Sequence, residues 1–430
     1  MPNAADLYKR LAASLDRRRE KSTLRSLDPP AYNASELVDF SSNDYLSLAH
    51  SRPLLSSLQS AIASHDGPLY GPASSRLLDG NSTHHLELED LLRTFFDGPA
   101  ALLFNSGFDA NVGIFSCLPA AEDTIVFDEL IHASCHDGMR HSRARTKLAF
   151  KHNSPSDLER ILGSLQSKDG YKSGKDQIYV AVESLYSMDG DVALLVQFLD
   201  VIERMFPKGN CHLILDEAHT TGICGRQGRG LACSLNVQDR ILIRLHTFGK
   251  AMSCSGGVII CSPTLRNYFV NYARPLIYST VMSHLAVIAM RQSVLFMQNG
   301  QADEARLNLQ SLAKHTQAQL QCALANIPYL QHLPPSPQET KESLDFLSPI
   351  IPVLTRHPRP LSKYLISKGY LVRPIAHPTV PKGQERIRIC LHSANTKSEI
   401  EGLVKCILEW TESAEAQTLQ RGDNTLQAKL

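Results

Sequence analysis

The sequence has almost no excess of charge of either sign. Its 430 residues include 44 lysines and arginines against 43 aspartates and glutamates, which gives a net charge of +1 at pH 7. Beyond the short run 17–19, it contains no block of basic residues. Binding to nucleic acid or to an anionic membrane surface depends on concentrated positive charge. We therefore expect neither kind of partner.

Two further absences concern membranes and compartment. No apolar run approaches the ~20 residues of a membrane span, and the polar residues 1–6 lack the apolar core of a signal peptide. The ten cysteines form no Cys-x-x-Cys pair and no cluster with histidine at metal-ligand spacing. We expect reduced thiols in a protein that folds inside the cell, and we assign no residue to a metal site.

The sequence does contain enough apolar residues for a large core. It is 43% hydrophobic and 20% charged, as is typical of soluble globular proteins, and it is long enough for two domains. We predict four segments along the chain: an N-terminal helix and linker over residues 1–40, a large domain over 41–290, a small C-terminal domain over 291–410 and a polar tail over 411–430.

Between about residues 80 and 265, short apolar runs alternate with helical patterns. These runs are residues 124–127, 178–182, 212–215, 241–243 and 257–260. Continuous apolar strands separated by helices predict a mostly parallel sheet covered on both faces, and hence an α/β domain. A long helical pattern over about 296–326 and a proline-rich connection over 334–339 follow. The runs at 348–353, 371–373 and 386–389 then predict a second, smaller sheet.

Polar residues that follow the strands are candidates for chemistry, because ligands of such sheets bind at the carboxyl ends of the strands. Lys250 lies in a small-residue turn, where burial would free its amine as a nucleophile. Asp216 directly follows a buried strand and needs a cationic partner. The turn at 105–111 opens a helix whose free N–H groups suit a phosphate. His132 is flat enough to stack on an aromatic ring.

Each of these features alone also has an ordinary structural explanation without a function: a surface lysine, a structural ion pair, an ordinary loop or a structural histidine. Together they describe a site for pyridoxal 5'-phosphate. The protonated pyridine nitrogen would be the cation beside Asp216, and the aspartate would keep the ring able to accept electrons.

In its motifs the chain closely resembles the α-oxoamine synthases, which are fold-type I pyridoxal phosphate enzymes that join an amino acid to an acyl thioester. The resemblance covers about residues 15 to 410. The motifs are residues 40–46 (FSSNDYL), 75–81 (SRLLDGN), 104–108 (FNSGF), 183–191 (ESLYSMDGD), 216–222 (DEAHTTG), 247–250 (TFGK), 277–280 (IYST) and 378–381 (PTVP). It implies an aspartate aminotransferase-like fold, with a mostly parallel sheet in the large domain and a small α+β C-terminal domain.

The resemblance also implies roles at the cofactor. Lys250 would bind it as a Schiff base, His132 would stack on its ring, and Asp216 would pair with the pyridine nitrogen. These three are the implied catalytic residues. His219 would contact the phenolic oxygen, and Ser187 would also touch the cofactor.

Further implied contacts concern the phosphate, which Gly107, Phe108 and Thr247 would hold. The family is typically a homodimer with shared active sites, so Ser279 and Thr280 would reach the phosphate of the neighbouring subunit.

Four residues match positions that contact substrate in the family. They are Arg25, which would bind a carboxylate, Asn43, Ser75 and Thr379.

Within the family, residues 75–81 and 378–381 most resemble the branch that condenses L-alanine with pimeloyl-CoA, or another pimeloyl thioester, in biotin synthesis. The sequence departs from the family pattern at residues 71–76 (GPASSR, usually GSTGSR) and at Ala376, where a basic residue is common. Arg373 is close by and could replace that basic residue. A synthase that uses another acyl thioester in specialised metabolism is the alternative. A non-enzyme alternative is an inactive partner subunit of a heterodimeric synthase.

The C-terminal tripeptide, Ala428-Lys429-Leu430, resembles the peroxisomal address Ser-Lys-Leu. The mostly polar stretch before it would leave it open to an import receptor. We expect a peroxisomal location and otherwise a cytoplasmic one.

Overall fold

A computed structural model of the chain describes residues 4–21, 23–25, 27, 36–67, 69–325, 327, 330–332 and 346–413. They fall into two units, which meet in sequence between Leu37 and Val38. The first unit contains the predicted N-terminal helix, α1 (Ala5–Glu20). The proline-rich connection at 334–339 and the C-terminal tripeptide lie outside the described residues.

Among the described residues, the second unit contains the other α-helices and the strands. The helices are α2 (Arg52–Ala63), α3 (Thr83–Phe95), α4 (Gly107–Cys117), α5 (Ala133–Arg140), α6 (Pro155–Gln166), α7 (Asp169–Ser173), α8 (Leu195–Met205), α9 (Leu231–Ser234), α10 (Pro263–Tyr272), α11 (Arg274–Ile277), α12 (His284–Gln298), α13 (Asp303–Leu324), α14 (Pro358–Ser367) and α15 (Lys397–Glu412). The strands are β1 (Val38–Asp39), β2 (Ala100–Phe104), β3 (Thr124–Asp128), β4 (Thr146–Phe150), β5 (Ile178–Glu183), β6 (Cys211–Asp216), β7 (Ile243–Thr247), β8 (Gly257–Cys261), β9 (Gln331–His332), β10 (Ile350–Leu354), β11 (Tyr370–Leu371), β12 (Arg373–Ile375) and β13 (Arg386–Cys390).

The main sheet has seven strands in the order β2-β8-β7-β6-β5-β3-β4. Strand β8 runs antiparallel to both of its neighbours, and the other strands are parallel to one another. Strand β5 is buried along its whole length, and its side chains alternate between two hydrophobic clusters: Val180 and Val182 in one, Tyr179 and Ala181 in the other. Both faces of the sheet are therefore covered, which confirms the α/β prediction.

A second sheet has four antiparallel strands in the order β12-β13-β10-β9. Strands β1 and β11 form a short parallel pair. Both sheets belong to the same compact unit, so the domain boundary at residue 290 stays a prediction. Among the described helices, none combines the length and the apolar character that a membrane span requires.

Two predicted elements need correction. The strand expected at 241–243 begins at Ile243 and continues to Thr247, because its polar residues Arg244 and His246 are buried in the sheet. The single helix expected over about 296–326 is two helices, α12 and α13. They are separated at Gly300, whose φ of 75° is the left-handed conformation that ends helices.

Candidate active site

The candidate site lies where three neighbouring parallel strands end. Glu183 ends β5, Asp216 ends β6 and Thr247 ends β7, and Glu183 is the register partner of Asp216. Together with the turn after β7, these ends enclose a cavity of about 180 Å³. Its lining residues are Ser106, Gly107, Phe108, Asn111, His132, Ser134, Glu183, Asp216, Ala218, His219, Leu245, Thr247 and Lys250.

Lys250 lies in the turn that joins β7 to the antiparallel β8. Backbone hydrogen bonds close this turn, with the Phe248 nitrogen 3.0 Å from the Gly256 oxygen and the Cys254 nitrogen 2.8 Å from the Phe248 oxygen. Burial lowers the pKa of Lys250, and the negative charge of Asp216 only partly opposes this. The cavity therefore contains an amine that gives up its proton more easily than an exposed lysine does.

Two donors hold the Asp216 carboxylate. The backbone nitrogen of Ala218 donates to Oδ1 at 2.9 Å, and Nδ2 of Asn111 donates to Oδ2 at 2.8 Å. Asp216 is buried, and each of its carboxylate oxygens accepts a hydrogen bond from within the chain. A cation placed in the cavity would complete its environment.

A chain of hydrogen bonds connects Asp216 to His132. Nδ2 of Asn111 also donates to Oγ of Ser134 at 3.0 Å, and that hydroxyl lies 2.7 Å from Nδ1 of His132. Because Ser134 accepts from Asn111, its single hydroxyl hydrogen is available for His132. The Ser134 backbone nitrogen points to the same ring atom at 3.3 Å. Nδ1 is therefore an acceptor, and the ring proton of a neutral His132 resides on Nε2.

The His132 side chain caps α5 and is exposed at the cavity. Burial by the surrounding protein lowers its pKa, with the charge of Asp216 opposing and that of Lys250 adding to the effect. A neutral, flat imidazole with a free Nε2–H thus borders the cavity, which suits both stacking on a ring and donation to an oxygen.

The start of α4 forms an anion site beside Lys250. Ser106 is the N-cap, and its hydroxyl accepts from the Asp109 nitrogen at 3.0 Å. The first amides of a helix have no carbonyl partner within it, so those of Gly107 and Phe108 are available to a ligand. A Cβ on Gly257 would lie 2.8 Å from the Gly107 nitrogen, so β8 must have glycine there for this close approach.

On another side of the cavity, His219 belongs to a buried polar group. Nδ1 of His219 lies 2.8 Å from the Tyr45 hydroxyl, which donates to Oδ1 of Asn43 at 3.2 Å. Arg388 donates to the same Oδ1 at 3.0 Å and to the Ser187 carbonyl at 2.6 Å. Burial lowers the pKa of His219 well below its ordinary value, with the charge of Lys250 second. His219 is therefore neutral.

The structure brings together most of the predicted cofactor residues but not all of them. Gly107, Phe108, His132, Asp216, His219, Thr247 and Lys250 all line the cavity. Ser187 lies in the turn after β5 and is not among the lining residues. Its contact with the cofactor stays a prediction.

Ser279 and Thr280 follow α11, where the Thr280 carbonyl accepts from Nδ2 of Asn105 at 2.8 Å. Their reach to a neighbouring subunit stays a prediction. Among the substrate residues, Asn43 meets Arg388, Ser75 lies in the loop before α3, and Thr379 is exposed after β12. Arg25 is exposed and belongs to the first unit, so its contact with substrate stays a prediction.

Five polar residues at or beside the cavity were not predicted as site residues: Ser106, Asn111, Ser134, Glu183 and Arg388. Glu183 is buried at the end of β5, and burial, with the charge of Asp216 second, raises its pKa well above the ordinary range. The sequence does contain a signal for Glu183, because this residue directly follows a predicted strand in the same way as Asp216. Its raised pKa favours the protonated form of Glu183 beside the carboxyl group of Asp216.

These residues fit pyridoxal phosphate. The helix start at Gly107 suits the phosphate, the buried carboxylate of Asp216 suits a pyridinium nitrogen, and Lys250 offers an amine of lowered pKa. Fold and site together define a pyridoxal phosphate-dependent transferase of fold type I.

Comparison with known proteins agrees with this class. The family model for aminotransferase class I and II matches residues 35–407. The chain is 39% identical over 412 residues to 8-amino-7-oxononanoate synthase of Emericella nidulans, covering 95% of this chain and 96% of the relative. It is 35% identical over 418 residues to aminoacyl transferase sphA of Aspergillus fumigatus, covering 95% and 88%.

Two solved structures share the fold. A serine palmitoyltransferase from S. paucimobilis has a TM-score of 0.78 at 21% identity, covering 96% of this chain and 99% of that one. An 8-amino-7-oxononanoate synthase from Francisella tularensis has a TM-score of 0.69 at 24% identity, covering 88% and 98%. The chain therefore belongs to the aminotransferase class I and II family, as a member of its α-oxoamine synthases, and is an acyltransferase that uses pyridoxal phosphate.

Proposed function

We propose that the protein condenses L-alanine with pimeloyl-CoA, or another pimeloyl thioester, to form 8-amino-7-oxononanoate and carbon dioxide, a step of biotin synthesis. The observation that carries this proposal is the 39% identity to the Emericella nidulans synthase over almost the full length of both chains. The local resemblance of residues 75–81 and 378–381 to the same branch supports it.

Each of the main cavity residues has its own role in the reaction. When bound, pyridoxal phosphate accepts the electron pair that is left on the α-carbon of the amino acid. The Lys250 amine, whose pKa burial lowers, takes the α-proton at Nζ. Asp216 keeps the cofactor nitrogen protonated. The Nε2–H of His132 donates to the thioester carbonyl oxygen as negative charge develops there.

Arg388 is suited to hold the α-carboxylate of the amino acid. Its guanidinium is buried among Tyr45, Asn43 and the Ser187 carbonyl, and its positive charge acts on both Lys250 and His219. Nε and one terminal nitrogen already donate to the Ser187 carbonyl and to Asn43. Under our proposal the guanidinium also binds a carboxylate oxygen of the substrate.

A synthase that uses a different acyl thioester is the second candidate, and two observations favour it. Ala376 stands where the family commonly has a basic residue, so the far carboxylate of a pimeloyl chain lacks that partner. The chain is also 35% identical to aminoacyl transferase sphA over 95% of its length. Under our proposal Arg373, exposed on β12 with Nε 3.2 Å from the Ser41 hydroxyl, binds this far carboxylate.

The test is a product assay with L-alanine and either pimeloyl-CoA or unbranched acyl-CoAs that lack the terminal carboxylate. We expect the carboxylated substrate to be preferred by at least about tenfold in kcat/KM. Equal or better turnover of the longer monocarboxylic chains would refute the biotin-pathway assignment and favour the second candidate.

The Arg373→Ala variant examines the same point within the site. It should raise KM for pimeloyl-CoA about tenfold and leave KM for L-alanine unchanged, because only the acyl end loses an ion pair. The matched control is Lys382→Ala, which removes another exposed positive charge just beyond residues 378–381. An equal effect of both variants would mean that general charge, rather than a specific contact, attracts the substrate.

A further inference from the structure

Three histidines from distant parts of the chain meet outside the Lys250 cavity. His65 follows α2, His84 is in the first turn of α3, and His284 is the first residue of α12. One ring nitrogen of each lies within 4.8 Å of the others. None of the three lines the Lys250 cavity. Among the described residues, this is the only group of three or more histidine, cysteine, aspartate or glutamate side chains with this geometry.

The ring nitrogens in this cluster have unused bonding capacity. Nε2 of His65 and Nδ1 of His284 are buried and have no hydrogen-bond partner in the described structure. A buried polar atom without a partner carries a desolvation penalty, which a ligand would relieve. The neighbouring His85 differs, because its Nδ1 contacts the Ser82 hydroxyl at 2.7 Å and its Nε2 the Met282 carbonyl at 3.3 Å. His85 therefore stays outside the site.

One carboxylate stands next to the cluster. Oε2 of Glu87 lies 3.9 Å from Nδ1 of His84 and 3.9 Å from Nη1 of Arg291, so the arginine offsets part of its charge. Ligating histidines commonly have such a group at the ring nitrogen that does not bind the metal.

We propose that His65, His84 and His284 bind one divalent transition-metal ion, with Zn²⁺ as the natural occupant and water completing a tetrahedral site. Imidazole nitrogens are preferred ligands of zinc, and three of them with an open fourth position form a known type of zinc site. Zinc–nitrogen bonds of 2.0–2.1 Å in tetrahedral geometry put ligand nitrogens roughly 3.3 Å apart. Small rotations of the three rings would bring the present separations to that value.

The positions of the ligands predict the strength of binding and its effect. The ion would link the end of α2 to the starts of α3 and α12. Because a helix start carries partial positive charge, two of the three ligands lie in regions that repel a cation. We therefore expect micromolar affinity, well short of a permanent structural zinc. Backbone hydrogen bonds from Val281 to Ser74 and from Leu285 to Leu69 already join the loop after α2 to the start of α12, so the ion would further stabilise this part of the fold.

The test uses the cofactor-loaded full chain, freed of metal with a chelator and titrated with Zn²⁺ in a calorimeter and with Co²⁺ in a spectrophotometer. We expect one ion per chain and a visible Co²⁺ spectrum without a thiolate charge-transfer band. His84→Ala and His65→Ala should each weaken binding at least tenfold. The exposed His141→Ala serves as the matched control and should bind as the wild type does.

This experiment distinguishes a variant that fails to fold from a wrong assignment of the metal ligands. Side chains of His84 and its partner Glu87 are about half exposed, at 43% and 53%, so His84→Ala should keep the wild-type circular dichroism and cofactor absorbance. Zn²⁺ should raise the melting temperature of the wild type and of His141→Ala but not of His84→Ala. The proposal is overturned if the wild type binds no ion at micromolar Zn²⁺, if all variants bind equally, or if the Co²⁺ spectrum shows thiolate ligation.

Discussion

At the residue scale, Ser134 controls how His132 faces the cavity although it was not a predicted site residue. Its hydroxyl accepts from Asn111, which is anchored on Asp216, and so donates to Nδ1 of His132. A hydrogen bond to the neutral imidazole stabilises that form and lowers the pKa. Ser134 is therefore a positioning residue that connects the charge state of Asp216 to the proton on His132.

Ser134→Ala should lower kcat/KM about tenfold, because His132 loses the hydrogen bond that orients its ring for donation. It should also raise the pKa of His132, since the neutral ring loses a donor. The acid limb of the pH–rate profile then moves to higher pH. The measurement is a kcat/KM profile between pH 5 and 9, together with the cofactor absorbance to confirm occupancy.

The conservative variant Ser134→Thr retains the hydroxyl and should keep both the rate and the acid limb near those of the wild type. If Ser134→Ala lost rate with an unchanged profile, Ser134 would have a packing role only.

Lys250, Asp216 and His132 could be predicted because each follows a strand, or the residues just after one, in the sequence. Asn111 and Ser134 could not, since asparagine and serine inside helices are ordinary residues. Their contact depends on how α4 packs against α5. Arg388 lies within β13 of the second sheet, so its approach to Asn43 depends on tertiary packing that no local pattern encodes.

At the element scale, one histidine joins the carboxyl ends of three strands beside the site. His152 follows β4, and its ring nitrogens lie 2.9 Å from Asp128, the end of β3, and 3.1 Å from Asp191, in the segment after β5. Burial alone would lower the pKa of His152. The two hydrogen-bonded carboxylates outweigh it and raise the pKa to about 10. The imidazolium therefore holds together two acids that would otherwise repel each other.

His152→Gln should destabilise the fold by about 3 kcal/mol near pH 6, because it leaves the buried carboxylates of Asp128 and Asp191 without a charged partner. The folded pKa lies above the unfolded value of 6.5, so the contribution is fully present below pH 6.5. It declines as the pH rises and is lost near pH 10. Urea unfolding followed by circular dichroism at several pH values would measure this.

The exposed His50→Gln is the matched control and should unfold as the wild type does at every pH. If the difference in unfolding free energy between the wild type and His152→Gln stayed constant from pH 6 to 10, the histidine would contribute packing but no charge.

The sequence pattern predicted five strands of the main sheet, because each combines a short apolar run with flanking turn residues. It did not predict β2 or β4. Strand β4 has the sequence TKLAF, in which Lys147 and Ala149 are exposed, as expected at the edge of a sheet. Strand β2 follows the turn residues Asp97-Gly98-Pro99, but its run AALLF has no β-branched residue and does not by itself distinguish a strand from a helix. Edge position and neighbour packing, which decide both strands, are not local properties.

At the scale of the whole molecule, the open question is whether one chain forms a complete site. The cavity contains Lys250, Asp216 and the anion site at α4 within a single chain. The resemblance places Ser279 and Thr280 at the phosphate of a neighbouring subunit. The structure holds the Thr280 carbonyl beside Asn105, just before the anion site of the same chain. The two arrangements predict different behaviour of mixed dimers.

We expect a homodimer in which Thr280 serves the site of the other subunit. Thr280→Glu would then repel the phosphate from the neighbour's cofactor site, whereas Lys250→Ala inactivates its own. Each variant alone should be inactive. In a mixed dimer, the site that contains Lys250 of one chain and Thr280 of the other is intact. With random mixing, half of the dimers are mixed and have one active site of two, so about a quarter of wild-type activity should return.

The measurement is activity after co-expression or subunit exchange, with Lys250→Ala mixed with Lys250→Ala/Thr280→Glu as the inactive control. If Thr280 instead serves its own subunit, every site in the mixture contains a damaged residue, and no activity should return.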